Sequence, residues 1–105
     1  MVQNISNQDF RERMGNDNTV IIDVRTSGEV MAGVIPNALH MDIMDHSFGQ
    51  KIQDLNPEME YLIYCRSGGR SAMACELLKR NGFDQVYNLA NGISGWDGEV
   101  VEFSN

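Results

Sequence analysis

At 105 residues the chain has the length of one domain, spanning 1–105, with a single core. Its apolar fraction of 42% and mixed charge are those of a soluble globular protein. Eight basic residues against fifteen acidic ones leave a net charge of −7, which argues against nucleic acid or an anionic membrane as the main partner. No apolar run approaches the ~20 residues needed to span a bilayer. Met1–Ile5 shows no basic region followed by an apolar core, so no signal peptide and a cytoplasmic location are expected.

Ser6-Asn7-Gln8-Asp9 reads as a capping box, and the helix it opens runs through Phe10 and Met14 to the turn cluster Gly15-Asn16-Asp17. Val2–Ile5, just before it, fits a short strand. Thr19–Val24 is a nearly continuous β-branched run, the pattern of a strand buried on both faces. A helical turn over Thr26–Gly33, a bend at Pro36-Asn37 and a short strand over Ala38–Met41 follow. Asp42–Pro57 is polar, with weak helical character around Phe48–Leu55. Tyr61–Tyr64 is the next clear strand. Ser71–Asn81 is the clearest helix, with Ala72, Ala74, Cys75, Leu77 and Leu78 at helical spacing and Gly82 as its stop. Gln85–Leu89 is a further strand, and Asn91–Trp96 turns into a brief helix or loop. Strands alternating with helices predict an α/β domain, a parallel sheet with helices on both faces.

Charge is unevenly placed. Between Tyr61 and Phe83 lie Arg66, Arg70, Lys79 and Arg80 against Glu76 alone, a segment of +3 in a chain that carries −10 elsewhere. An acidic protein that gathers positive charge around one loop is suited to admit a small anion there. Two cysteines, Cys65 and Cys75, are too few for a disulfide framework or a zinc site. Cys75 falls within the helical pattern and reads as a small buried apolar residue.

Cys65 stands at the end of a strand and before a helix, with Arg66, Ser67, Gly68, Gly69, Arg70 and Ser71 next to it. In a parallel α/β sheet, ligands bind beyond the carboxyl ends of the strands. Gly68 and Gly69 let the backbone curl with its N–H groups turned to one centre, and the helix start adds partial positive charge. Arg66 and Arg70 add formal charge and donors suited to an oxyanion. Each neighbour favours the thiolate, the form in which cysteine is a nucleophile. Two reactions use such a loop. Phosphoryl transfer usually places five residues between Cys and Arg and needs room for three phosphate oxygens. Here four residues separate Cys65 from Arg70, a smaller ring better matched to one sulfur atom.

Ile22-Asp23-Val24-Arg25, Glu29 and Gly33-Val34-Ile35-Pro36-Asn37-Ala38 form an ordered set with the Cys65–Ser71 loop and with Asn91-Gly92-Ile93-Ser94-Gly95-Trp96. Together these resemble the rhodanese family, in its early D-V-R … E … G-H-I-P-x-A signature, six-residue active loop and closing G-G-I-x-x-W. Val34 replaces the usual histidine and Asn91 the usual first glycine, both outside the active loop. The resemblance implies a three-layer α/β/α domain with a central, mostly parallel sheet of about five strands. It also implies a sulfurtransferase in which Cys65 takes the outer sulfur of thiosulfate or a related donor. A Cys65 persulfide then gives that sulfur to cyanide or a thiol. The loop amides from Arg66 to Ser71 would cradle the persulfide, and Arg66 and Arg70 would meet the donor anion. Neither a metal nor an organic cofactor is implied. Asp23 and Arg25 would support neighbouring loops, with Arg25 paired to Glu29.

Ser67 either donates to the sulfur or shapes the loop, and Ser71 reads as the helix N-cap. His40 and His46 read as surface or loop histidines, and Trp96, Phe83 and Tyr87 as packing. Two other functions stand beside sulfur transfer to small molecules. One is a persulfide carrier or regulatory module that meets a protein partner. The other, disfavoured by the loop length, is a phosphatase or arsenate reductase.

Overall fold

The β-branched run and its neighbours pair as the alternation of strands and helices predicts. In the computed structural model, which describes residues 2–104, five strands form one sheet: β1 (Gln3–Ile5), β2 (Thr19–Asp23), β3 (Ala38–His40), β4 (Glu60–Tyr64) and β5 (Val86–Leu89). Their order is β1-β5-β4-β2-β3, and every pairing within the sheet is parallel. Met1 and Asn105, the ends of the expected 1–105 domain, lie outside the described residues.

Helices cover both faces, which gives the sheet two cores. β4 is the central strand and is buried along its whole length. Its side chains alternate. Tyr61 and Ile63 join Ile22, Val24 and Val86 on one face, beneath Ala74, Cys75 and Leu78 of helix α4 (Gly69–Arg80). Phe48 of the short α3 (Phe48–Lys51) and Ile52 of the 3₁₀ turn after it complete that core. Leu62 and Tyr64 point to the other face, against Phe10 of α1 (Asn7–Met14), Ile35 and Leu89. Trp96 closes this second core, its ring edge-on to Phe10 at 5.2 Å. Period-two alternation on a sheet covered on both sides is what a near-continuous apolar run encodes.

Local signals set the helix starts. Ser6 accepts a hydrogen bond from the Asp9 amide at 3.1 Å and caps α1, but the reciprocal half of the expected box is absent because the Asp9 carboxylate turns to Arg13. The reciprocal box occurs instead at α2 (Ser27–Val30), where Thr26 and Glu29 bind each other's backbone amides. This box fixes the side chain of Glu29, which faces the cysteine loop. Among the described residues, no helix is long and apolar enough to cross a membrane.

Candidate active site

Cys65 follows the last residue of β4 at the carboxyl edge of the sheet, with β5 and β2 on either side. The chain turns over Arg66–Gly68 and enters α4 at Gly69. Gly68 is the N-cap and holds φ +104°, the left-handed region that favours glycine. A Cβ there would sit 2.4 Å from the Ala90 carbonyl oxygen, so the turn also needs the missing side chain for close approach to β5. Gly69 is helical, with open space where a Cβ would go, so only the first glycine of the pair is demanded.

Ser71 is not the N-cap. It is the third residue of α4, fully buried, and its hydroxyl lies 3.3 Å from Cys65 Sγ. The physical reason is the left-handed Gly68, which starts the helix early and turns Ser71 inward. The Gly68 N–H donates to the same sulfur at 3.1 Å. Burial pushes the Cys65 thiol up, and the Ser71 hydroxyl with the amides of Ser71, Gly68 and Ser67 outweighs it. The result lies below the ordinary cysteine value. Ser67 therefore acts on the sulfur through its backbone.

The loop is held from outside as well. The amides of Ile93 and Ser94 donate to the carbonyls of Cys65 at 2.9 Å and Arg66 at 3.0 Å. Carbonyls drawn outward leave the loop amides free to turn inward. Gly92 makes this contact possible, with φ +64° and the Arg66 carbonyl oxygen only 2.3 Å from where a Cβ would be.

The arginines play unequal parts. Arg70 is bound bidentately to Glu29, Nη1 to Oε1 at 2.7 Å and Nη2 to Oε2 at 2.9 Å. Arg70 above all, with the Thr26 amide, holds the Glu29 carboxyl down at about 2. Arg66 is exposed and makes no ion pair among the described residues. It borders a cavity of about 310 Å³ shared with Arg25, Glu29, Ala32, Ile93 and Ser94. A larger depression of about 470 Å³ lies along α4, but no residue of the Cys65–Arg70 loop lines it.

The expected Arg25–Glu29 side-chain pair is replaced by another. Arg25 binds the fully buried Asp23 carboxylate through Nε and Nη2, the latter at 2.7 Å, and reaches only the backbone carbonyl of Glu29. Asp23 lies two residues away at the end of β2, while the Thr26 box has already turned Glu29 toward Arg70. Arg25 Nη2 also donates to the Gly33 carbonyl at 2.7 Å, so the pair ties β2 to the segment after α2. His40 is more than a loop residue: its Nε2 lies 2.7 Å from the Arg25 carbonyl oxygen. Cys75 is fully buried in the α4 core, and burial raises its pKa to about 12. Among the described residues no cluster of metal-ligating side chains occurs.

Sequence reasoning missed Asn88. It is a buried residue of β5 whose Nδ2 lies 3.2 Å from the Gly68 carbonyl oxygen. The one available signal is an amide inside the apolar strand Val86-Tyr87-Asn88-Leu89.

A strand-end thiol held below its ordinary pKa, with an amide and a hydroxyl directed at it from a short turn on a parallel three-layer sheet, defines an α/β domain built around one cysteine. The pattern of the family described as the rhodanese-like domain matches residues 6–99, and the chain belongs to that family. A sulfurtransferase of Allochromatium vinosum is 33% identical over 97 residues, covering 91% of this chain and 89% of its own. A Bacillus subtilis protein bearing the provisional name of a sulfur carrier, YrkF, is 31% identical over 100 residues. The alignment covers 94% of this chain and 53% of that one. A rhodanese-like domain protein from Staphylococcus aureus superposes with a TM-score of 0.85 at 28% identity, over 98% of this chain and all of its own.

Proposed function

We propose that the protein is a sulfurtransferase acting through a Cys65 persulfide, with thiosulfate or a similar small anion as donor and cyanide or a thiol as acceptor. The Cys65 thiolate attacks the outer sulfur of thiosulfate. A Cys65–S bond forms, the S–S bond of the donor breaks, and sulfite departs with the electron pair. Sulfite is a good leaving group, so the step needs no dedicated general acid. The terminal sulfur then carries the negative charge in front of the loop amides, a preorganised stabilisation of the kind that serves oxyanions. Cyanide attacks that sulfur and leaves as thiocyanate, which returns Cys65 to the thiolate.

The observation that carries this reading is the convergence of the Gly68 amide and Ser71 hydroxyl on one buried sulfur. With Arg70 engaged by Glu29, Arg66 is the cation placed to meet the donor. The spacing of four residues between Cys65 and Arg70 favours sulfur over phosphorus, and the acidic chain disfavours nucleic acid and membrane partners. We place this chemistry in the cytoplasm. Incubation with thiosulfate should add one sulfur to the protein mass, and Cys65→Ser should abolish both that gain and thiocyanate formation. A wild-type protein that never gains sulfur overturns the reading.

The likeness to YrkF favours a second reading, a carrier that delivers the persulfide to a protein acceptor. Saturable turnover with small donors and acceptors selects the enzyme. Loading from a donor protein alone selects the carrier.

A further inference from the structure

Asn88 Oδ1 is buried and has no hydrogen-bond partner among the described residues, in a residue only 2% exposed. Buried polar atoms are nearly always paired, so an orphan needs a reason. Rotating the amide to exchange its oxygen and nitrogen would set an oxygen against the Gly68 carbonyl, which can only accept. The orientation is therefore dictated by what Nδ2 does. One of its N–H groups donates to Asn4 Oδ1 at 2.9 Å, and it reaches the Gly68 carbonyl at 3.2 Å. That carbonyl also accepts the first hydrogen bond of α4, from the Ala72 amide at 3.1 Å. Two donors on one oxygen fix the plane of the peptide leaving Gly68, at a residue whose left-handed backbone would otherwise have wide freedom.

We propose that Asn88 is a positioning residue for the reaction. By holding the Gly68 carbonyl from β5 it anchors to the sheet the residue whose N–H donates to Cys65 Sγ, and the unpaired Oδ1 is the consequence of turning Nδ2 to Gly68 and to Asn4. The inference rests on Cys65 being the nucleophile and deepens that reading. Its test reads the thiol directly and needs no sulfur donor, so it fails separately from sulfur transfer.

The experiment is the pH dependence of Cys65 alkylation by iodoacetamide in the full chain. Asn88→Leu keeps the approximate volume and loses the donors, and Asn88→Ala loses them without crowding the strand. Arg70 and Cys75, the ionisable groups coupled by charge to Cys65, are present in every variant. Both Asn88 variants should alkylate about fivefold more slowly at neutral pH, with the titration midpoint moved upward, the effect of weakening one hydrogen bond to the thiolate. Val86→Ala, a core cavity in the same strand away from the loop, should lower stability and leave the midpoint in place. An unchanged midpoint in the Asn88 variants, or an equal shift in Val86→Ala, overturns the proposal. In the wild-type protein the Asn88 side-chain amide protons should exchange slowly with solvent. Exchange at the rate of a free amide overturns it without any substitution.

Discussion

Arg70 and Glu29, 41 positions apart in sequence, form a two-point ion pair that closes the cysteine loop against α2. A guanidinium bound at both terminal nitrogens acts first as a structural clasp. Arg66 is solvent-exposed and outside that pair, and it is the arginine proposed above to meet the donor anion. The two loop arginines, alike in sequence, therefore predict different kinetic phenotypes.

Arg66→Ala should raise the KM for thiosulfate by about tenfold or more, the loss of a charge-assisted hydrogen bond, with a smaller change in kcat. Arg66→Lys should recover part of it. Steady-state kinetics over a range of thiosulfate concentrations decide the matter, and an unaltered KM would remove Arg66 from donor binding. Arg70→Ala should instead lower both kcat and the resistance to denaturant.

Acid should loosen the clasp. The Glu29 carboxyl is held at about 2 against an ordinary 4.5, so its contribution is complete above 4.5 and is lost as pH falls toward 2. Both side chains are more than a quarter exposed, and solvent screening leaves about 1–2 kcal/mol. Denaturant midpoints measured across that window should fall, and less steeply in Glu29→Gln. Some slope should persist, because Asp45, held at about 2 by the Ser47 amide and hydroxyl and by Lys51, titrates there too. Equal slopes in the two proteins would contradict the assignment.

Ser71→Ala should slow Cys65 alkylation at neutral pH by about fivefold, the equivalent of ~1 kcal/mol for one hydrogen bond to the thiolate. The change should diminish at high pH, where the thiol is ionised in both proteins. A variant that alkylates as fast as wild type near neutrality would show that the amides suffice.

Two glycine substitutions should give opposite results. Gly92→Ala forces a Cβ against the Arg66 carbonyl at a left-handed position and should cost about 2–4 kcal/mol, with loss of thiol reactivity. Gly69→Ala enters open space on a helical residue and should be neutral or stabilising by up to about 1 kcal/mol. Thermal denaturation of the two variants makes the comparison.

The strands around Thr19–Asp23 and Glu60–Tyr64 were legible because double-sided burial writes itself as a continuous apolar run. The Cys65 loop was legible for a different reason, since its residues are adjacent in sequence. What escaped were partnerships made by the sheet. Parallel pairing of β4 with β5 brings Asn88 beside a loop 20 positions earlier, and an amide inside an apolar strand marks the residue without naming its partner. The sequence puts Glu29 in the helical turn it occupies, but its four-residue spacing to Arg25 looks like a local pair, whereas its side chain binds Arg70. The capping box at Thr26 decides otherwise. Ser71 was displaced from cap to sulfur ligand by the backbone angle of Gly68, a quantity residue type alone does not set.

The hydrogen bonds from Ile93 and Ser94 to the carbonyls behind Cys65 tie nucleophilicity to the last motif in the chain. The setting of the thiol is therefore complete only once Gly92–Trp96 has docked, so a motif far from the cysteine in sequence belongs to the frame of its loop.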